Sequence, residues 1–365
     1  MKKIIFTLIL IFISFKNYAA ECTNLTTTYN LEKKYVLNNI RVYYSLIGVD
    51  KVNDTTDTNN NNIPDYIENA ALQASTMYKA AVELGLRGPL ESPRYLETNT
   101  QYIDFIAQGA GTGSSADEAY ILTGILAGAD GICSIRSNIN PNLVGLTTRQ
   151  DTLTVAHEVA HHFYNGYSMY QQNWFEGNHI NGSWITESFS EWLEMILRNG
   201  ELRTNGTEKL PATIDEIKLN IFTTPYVYDA GKVLDRIIKL ADKGNGTVIF
   251  SNNLLQKKYL DGKNIIQDQR LRGVNIVKQI LQRIDADDNS FASKFNLNSY
   301  KWPERYQRGC EATPARYCSD EINKRVLNIY RDLLLEIPNS NLTSEEKLEI
   351  NNFINAVNSY QYWKK

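Results

Sequence analysis

Residues 153–163 read Leu153-Thr154-Val155-Ala156-His157-Glu158-Val159-Ala160-His161-His162-Phe163. The chain has four histidines in 365 residues, and three of them stand here. His157 and His161 are four positions apart, so on an α-helix they project from one face, one turn above the other. Two imidazoles so placed can grip one metal ion. Glu158 lies partway round the helix, toward the open side of that ion, where a carboxylate can serve as a base. The residues around them are uncharged, the composition of a buried helix. Thr148-x-x-Asp151 offers a capping signal and Asn165-Gly166 a stop, which predicts a helix over 151–165. The same residues also admit a plainer reading, a core helix whose histidines are hydrogen-bonded inside the protein.

A catalytic zinc keeps three protein ligands and one open position. Downstream, Trp184-Ile185-Thr186-Glu187-Ser188-Phe189-Ser190-Glu191-Trp192-Leu193-Glu194 has helical periodicity, and Trp184, Phe189, Trp192, Leu193 and Ile196 can cover a core face. Glu187 and Glu191 share another face, one turn apart. Two stacked carboxylates on a largely apolar helix are costly unless their charge is compensated. A zinc ion together with the N–H of a ligand histidine compensates both. Glu187 is therefore assigned as the third ligand, and Glu191 as the acceptor that orients His157 or His161. Glu176 and His179, in the loop between the two helices, are competing ligands, but helix-borne ligands are held more accurately than loop-borne ones.

Upstream, Asp57-Thr58-Asn59-Asn60-Asn61-Asn62-Ile63-Pro64-Asp65-Tyr66-Ile67-Glu68 sets oxygen side chains in the ligand spacing of a helix-flanking calcium loop. Asp57, Asn59, Asn61 and Asp65 supply side chains, Ile63 a backbone carbonyl, and Glu68 the bidentate closing carboxylate. Asn62 stands at the sharp turn where glycine is usual, and asparagine tolerates the left-handed conformation needed there. Asparagines at two ligand positions lower the charge and weaken the site, which millimolar calcium would still fill. The alternative is a polar surface loop. An amphipathic helix is expected to follow over 66–86.

The zinc residues resemble the gluzincin metallopeptidases, which pair an H-E-x-x-H helix with a later helix carrying a ligand glutamate and, four residues on, a supporting acid. Glu187-x-x-x-Glu191 matches that layout. The stretch between His161 and Glu187 is longer than in the best-known members, which places an insertion there. Pro225-Tyr226-Val227-Tyr228-Asp229-Ala230-Gly231 is similar to the tyrosine segment of the aminopeptidase branch. On that resemblance Tyr228, with Tyr226 in reserve, would stabilise the oxyanion, a role His179 could also take. A tyrosine that only packs is the competing reading. Over roughly residues 30–195 the chain also resembles a family of secreted bacterial metalloproteases. These have a tyrosine-rich extended segment (here Ile40 to Ser45), an Asp/Asn loop ending in Pro-Asp-Tyr, a long helix and then the zinc helix. The resemblance implies hydrolysis of peptide bonds with Zn2+, Glu158 as general base, and Ca2+ as a second cofactor.

Composition sets the compartment. Met1 to Ala20 has Lys2-Lys3, an apolar run from Ile4 to Phe15 and Tyr18-Ala19-Ala20, the build of a secretory signal peptide, too short in its apolar part to span a bilayer. The expected location is secreted or periplasmic. Cys22, Cys133, Cys310 and Cys318 then read as two disulfides, with three possible connectivities; Cys310–Cys318 closes a short loop and leaves Cys22–Cys133. A net charge of −3 gives no reason to expect nucleic acid or an anionic membrane as partner. The expected partner is a protein or peptide substrate, taken by a monomer without stable membrane insertion.

Residues 34–48 and 101–107 alternate as strands, and helices are expected at 184–199, 212–221, 227–242, 273–285, 319–336 and 343–358. The fold class is α+β. A zincin-like N-terminal lobe would cover 21–205 and a mainly α-helical C-terminal lobe 206–365, with substrate in the cleft between them. Two other functions fit the same motifs. One is a non-catalytic secreted protein that uses metal for stability, and the other is a metal-dependent cell-wall amidase.

Overall fold

The computed structural model describes residues 23–24, 31–96, 99–108, 121–127, 132–141, 151–168, 183–197, 209–222, 231–243, 248–297 and 318–360. The expected strand at 34–48 is a hairpin: β2 (Lys33–Leu37) turns at Asn38 and returns as β3 (Ile40–Tyr44). Asn38 has φ 56°, a left-handed conformation that asparagine accepts and that lets the chain reverse in two residues. The hairpin joins a six-stranded mixed sheet with β1 (Thr23–Asn24), β4 (Tyr102–Ala107), β5 (Ile121–Ala127) and β6 (Cys133–Ile139), in the order β1-β5-β6-β4-β3-β2. β3, β4 and β6 are mutually parallel neighbours, and β5 runs antiparallel to β6.

Register sorts the side chains. Ile40, Ile103 and Ile135 stand opposite one another across β3, β4 and β6, and all are buried. Against this face lies α1 (Asp65–Glu83), whose Ala70, Ala71, Ala74, Ala80 and Ala81 are fully buried and let helix and sheet approach closely. The opposite face pairs Arg41 with Asp104 at 2.6 Å, and Ser134 donates to the same carboxylate at 2.6 Å. Both charged groups are buried, so each satisfies the other where water cannot.

Two helices carry the paired histidines and Glu187. α2 (Asp151–Tyr167) runs two residues past its expected stop, and α3 (Ser183–Glu194) continues as a 3-10 turn through Leu197. α2 is tied to α1 by the Ala156 N–H donating to Gln73 Oε1 at 2.9 Å, and to β6 by His162 Nε2 lying 2.9 Å from Ser137 Oγ. Trp184, Phe189, Trp192, Leu193 and Ile196 are all buried, as their spacing predicts. Trp184 donates to Asn323 and Trp192 to the carbonyl of Arg272, each at 2.7 Å, which binds α3 to the later chain.

That later chain contributes α4 (Gly231–Ala241), α5 (Val274–Lys294), α6 (Cys318–Leu335) and α7 (Ser344–Ser359). The expected helix at 212–221 is a single α turn, Ile214–Ile217, passing into a π turn, Lys218–Phe222. α5 overruns its expected end at 285 by nine residues. Its polar tail does not stop it because Asp285 meets Arg87 at 3.1 Å and Asp287 meets Arg325, while Ile284, Asp288 and Phe291 turn inward. One buried apolar cluster runs from Ile40 in the sheet to Tyr360 after α7. Where α2, α3, α4 and α5 meet, Tyr164, Phe189, Leu234 and Val277 line a small apolar pocket. Cys133 is disulfide-bonded. Cys22 and Cys310 of the two expected pairings, and the signal peptide, lie outside the described residues.

Candidate metal centre

Placing α3 across α2 brings Glu187 to the paired histidines. His157 Nε2 lies 2.8 Å from Glu187 Oε2, and His161 Nε2 lies 3.5 Å from Glu187 Oε1. The two rings stand edge to face with centroids 4.5 Å apart. The candidate ligand atoms of His157, His161 and Glu187 all fall within 4.8 Å of one another, a span that one ion can bridge. The donor set, two imidazoles and a carboxylate, is one that zinc accepts at a catalytic centre. All three residues are buried, at 7%, 3% and 2% exposure.

The other edge of each ring also faces α3. His161 Nδ1 lies 2.5 Å from Thr186 Oγ1, and His157 Nδ1 lies 3.6 Å from Glu194 Oε1. An acceptor at Nδ1 orients a histidine ring and leaves Nε2 as the atom available to a metal. The sequence reading missed both partners. Thr186 is the residue before Glu187. Glu194 follows Glu187 at seven positions and Glu191 at three, so all three acids share one helix face. Glu191, expected to orient a histidine, belongs with His157 and Glu194 to a second group whose ligand atoms lie within 4.8 Å. Its stem packs against Gly231, where an added Cβ would come 3.5 Å from Glu191 Cβ.

Charge is balanced locally. Burial alone would lower the pKa of His157, but the carboxylates of Glu187 and Glu194 outweigh it and hold the ring protonated well above the ordinary histidine range. His161 is lowered, first by burial and then by the charge on His157. Burial would raise Glu187, yet the two imidazoles hold it well below the usual carboxylate range. Glu158 has no such compensation. It is 3% exposed, and its Oε2 makes no hydrogen bond among the described residues. Burial pushes its pKa well up, Glu187 and Glu194 add to this, and His157 only partly opposes them. His162 points away toward Ser137, and burial pushes its pKa down to about 3. It is a neutral tie to the sheet.

The calcium-type loop folds around its own carboxylates. Asn60 and Asn62 have φ 57° and 66°, and Asn62 is thus left-handed as its position requires. Asp57 accepts the backbone N–H groups of Asn61 and Asn62 at 3.1 and 2.8 Å, and Asp65 accepts that of Thr58 at 3.0 Å. Asn59 and Asn61 each donate a side-chain N–H to Glu68 at 2.9 Å. Among the described residues, the two groups of histidine and acidic donors that converge within 4.8 Å do not include this loop.

Glu176, His179, Tyr226 and Tyr228 lie outside the described residues. Among the described residues no helix is long and apolar enough to cross a membrane. Neither family models, nor curated proteins, nor solved structures give a match to this chain.

Proposed function

We propose that this chain is an exported zinc-dependent peptidase of the gluzincin kind, with a zincin-like arrangement of sheet and metal helices. The observation that carries this reading is the convergence of His157 Nε2 and His161 Nε2 on the Glu187 carboxylate, with Glu158 buried beside them. Zinc held by His157, His161 and Glu187 would supply Lewis-acid polarisation of a scissile carbonyl and of water. Glu158 takes a proton from the attacking water and returns it to the leaving amine nitrogen. Burial raises the pKa of the Glu158 carboxyl, which strengthens it as a proton acceptor. Tyr228 or His179 is the donor assigned to the developing oxyanion.

The test is cleavage of a quenched-fluorescent peptide library by the zinc-loaded chain lacking residues 1–20, with Glu158→Gln alongside. Turnover in the wild type that falls by about 10²- to 10⁴-fold in the variant, at unchanged zinc content, is expected. Full turnover in Glu158→Gln would overturn the assignment. A purely structural metal is the competing reading, favoured by the near-complete burial of the centre. It predicts zinc binding with no turnover in either protein, an outcome that cell-wall amide substrates would separate from amidase activity.

For the upstream loop the proposed ligand is Ca2+, held by Asp57, Asn59, Asn61, Asp65 and Glu68 with the Ile63 carbonyl. Turning over the amides of Asn59 and Asn61 exchanges the N–H groups now facing Glu68 for oxygens. The left-handed turns at Asn60 and Asn62 support this reading.

A further inference from the structure

Resting on the zinc reading, we infer that Glu194 is the positioning residue that holds His157 in its coordinating orientation. Glu191, at the spacing where the resemblance places such an acid, is not that residue. Among the described residues Glu194 stands seven positions beyond Glu187 on the same face of α3, which brings its Oε1 3.6 Å from His157 Nδ1 while Glu187 meets Nε2 on the far edge of the ring. The ring thus lies between two carboxylates of one helix, bonded to one and facing the other. Glu194 is fully buried, so it reaches His157 without water competing for its oxygens. Glu191 lies one turn earlier with its stem facing Gly231 at the start of α4; its carboxylate falls within 4.8 Å of the same group, but the 3.6 Å approach to Nδ1 is that of Glu194.

The separation of 3.6 Å is longer than a formed hydrogen bond. Shifting the ring toward Glu194 closes it and moves Nε2 away from the Glu187 oxygen it now meets at 2.8 Å, opening the space between Nε2 and Glu187 that an ion needs. Glu194 thus favours the metal-bound position of His157 and competes with Glu187 for the ring. Acceptors behind ligand histidines typically contribute 10- to 100-fold in metal affinity.

The experiment compares wild type, Glu194→Gln, Glu194→Leu and Glu191→Gln. Zinc affinity is read by competition with a chromophoric chelator. The imidazole N–H signals of His157 are read by NMR in the metal-free proteins, and circular dichroism confirms that each variant is folded. Expected is a roughly ten-fold weaker zinc affinity for Glu194→Gln, up to about 100-fold for Glu194→Leu, and little change for Glu191→Gln. In the metal-free protein the His157 Nδ1 proton should shift in both Glu194 variants and stay in place in Glu191→Gln. An unchanged affinity and an unchanged Nδ1 signal in Glu194→Gln, or a larger effect of Glu191→Gln, would overturn the inference while wild-type zinc binding leaves the peptidase reading standing. Wild-type protein that binds no zinc would overturn that reading, and the NMR arm alone then decides whether Glu194 holds the ring.

Discussion

Thr186 holds His161 through one oxygen, 2.5 Å from Nδ1, and it is fully buried, so no water can replace that contact. Thr186→Val keeps the shape and removes the oxygen. Zinc affinity should weaken by about ten-fold with the fold intact, as judged by chelator competition and circular dichroism. An unchanged affinity would mean that packing alone orients the ring. The contrast between Thr186 and Glu187 shows what a sequence makes legible at this scale. His157, Glu158 and His161 are readable because a helix fixes their mutual geometry before any tertiary contact forms. Glu187 is readable because a stacked acid pair on an apolar helix demands a cation. Thr186 and Glu194 become partners only through the angle at which α3 crosses α2, and no spacing within one helix encodes that angle. Glu194 was also hidden by the expectation that the supporting acid lies one turn from the ligand, when the helix face extends a turn further.

Elements followed the same logic. The helix α7 begins at the Thr343/Glu346 capping box its sequence announces, with both reciprocal bonds formed. α1 starts at Asp65, directly after the Asp/Asn loop. Strands β5 and β6 escaped the sequence reading. In β6, Ile135 and Ile139 face the core and Ser134, Arg136 and Asn138 the other side, but Ser137 interrupts the apolar face and leaves only two apolar residues to mark a strand whose polar side is buried as well. The overrun of α5 has a similar origin, since its acids are answered by Arg87 and Arg325 from distant segments. The loop before α1 yields a prediction at this scale. Glu68 sits in the first turn of α1 and accepts from both Asn59 and Asn61, so it links loop and helix. With zinc held constant, adding calcium to chelator-treated wild type should raise the melting temperature. Glu68→Gln, which loses the bidentate carboxylate, should abolish most of that increment. A melting temperature insensitive to calcium in the wild type would reduce the loop to a polar turn held by its own hydrogen bonds.

For the whole molecule the candidate metal centre is a concentration of buried charge set into the core. Glu158, Glu187, Glu191 and Glu194 are each no more than 3% exposed. Glu187 is answered by both histidines and Glu194 faces His157, whereas burial raises the pKa of Glu158 despite the nearby His157. The sign of its contribution follows from linkage. Between the ordinary carboxyl value, about 4.3, and the raised folded value, the folded state keeps a proton that the unfolded state releases. Stability of the metal-free protein therefore falls as pH rises through that window. Replacing Glu158 by glutamine removes the titration and keeps the shape. Metal-free Glu158→Gln should consequently be more stable than metal-free wild type at pH 8, by about 1–3 kcal/mol, the cost of a buried polar group left without a partner. The gap should narrow toward pH 5, as read by urea denaturation at both values. Wild type as stable as the variant at pH 8 would mean that the fold compensates the carboxylate, and with it would go the argument that Glu158 is poised for proton transfer. The expected result has a functional meaning. A fold selected for stability alone would not keep an uncompensated acid here, so a stabilising, turnover-abolishing substitution at Glu158 would mark the position as one retained for chemistry.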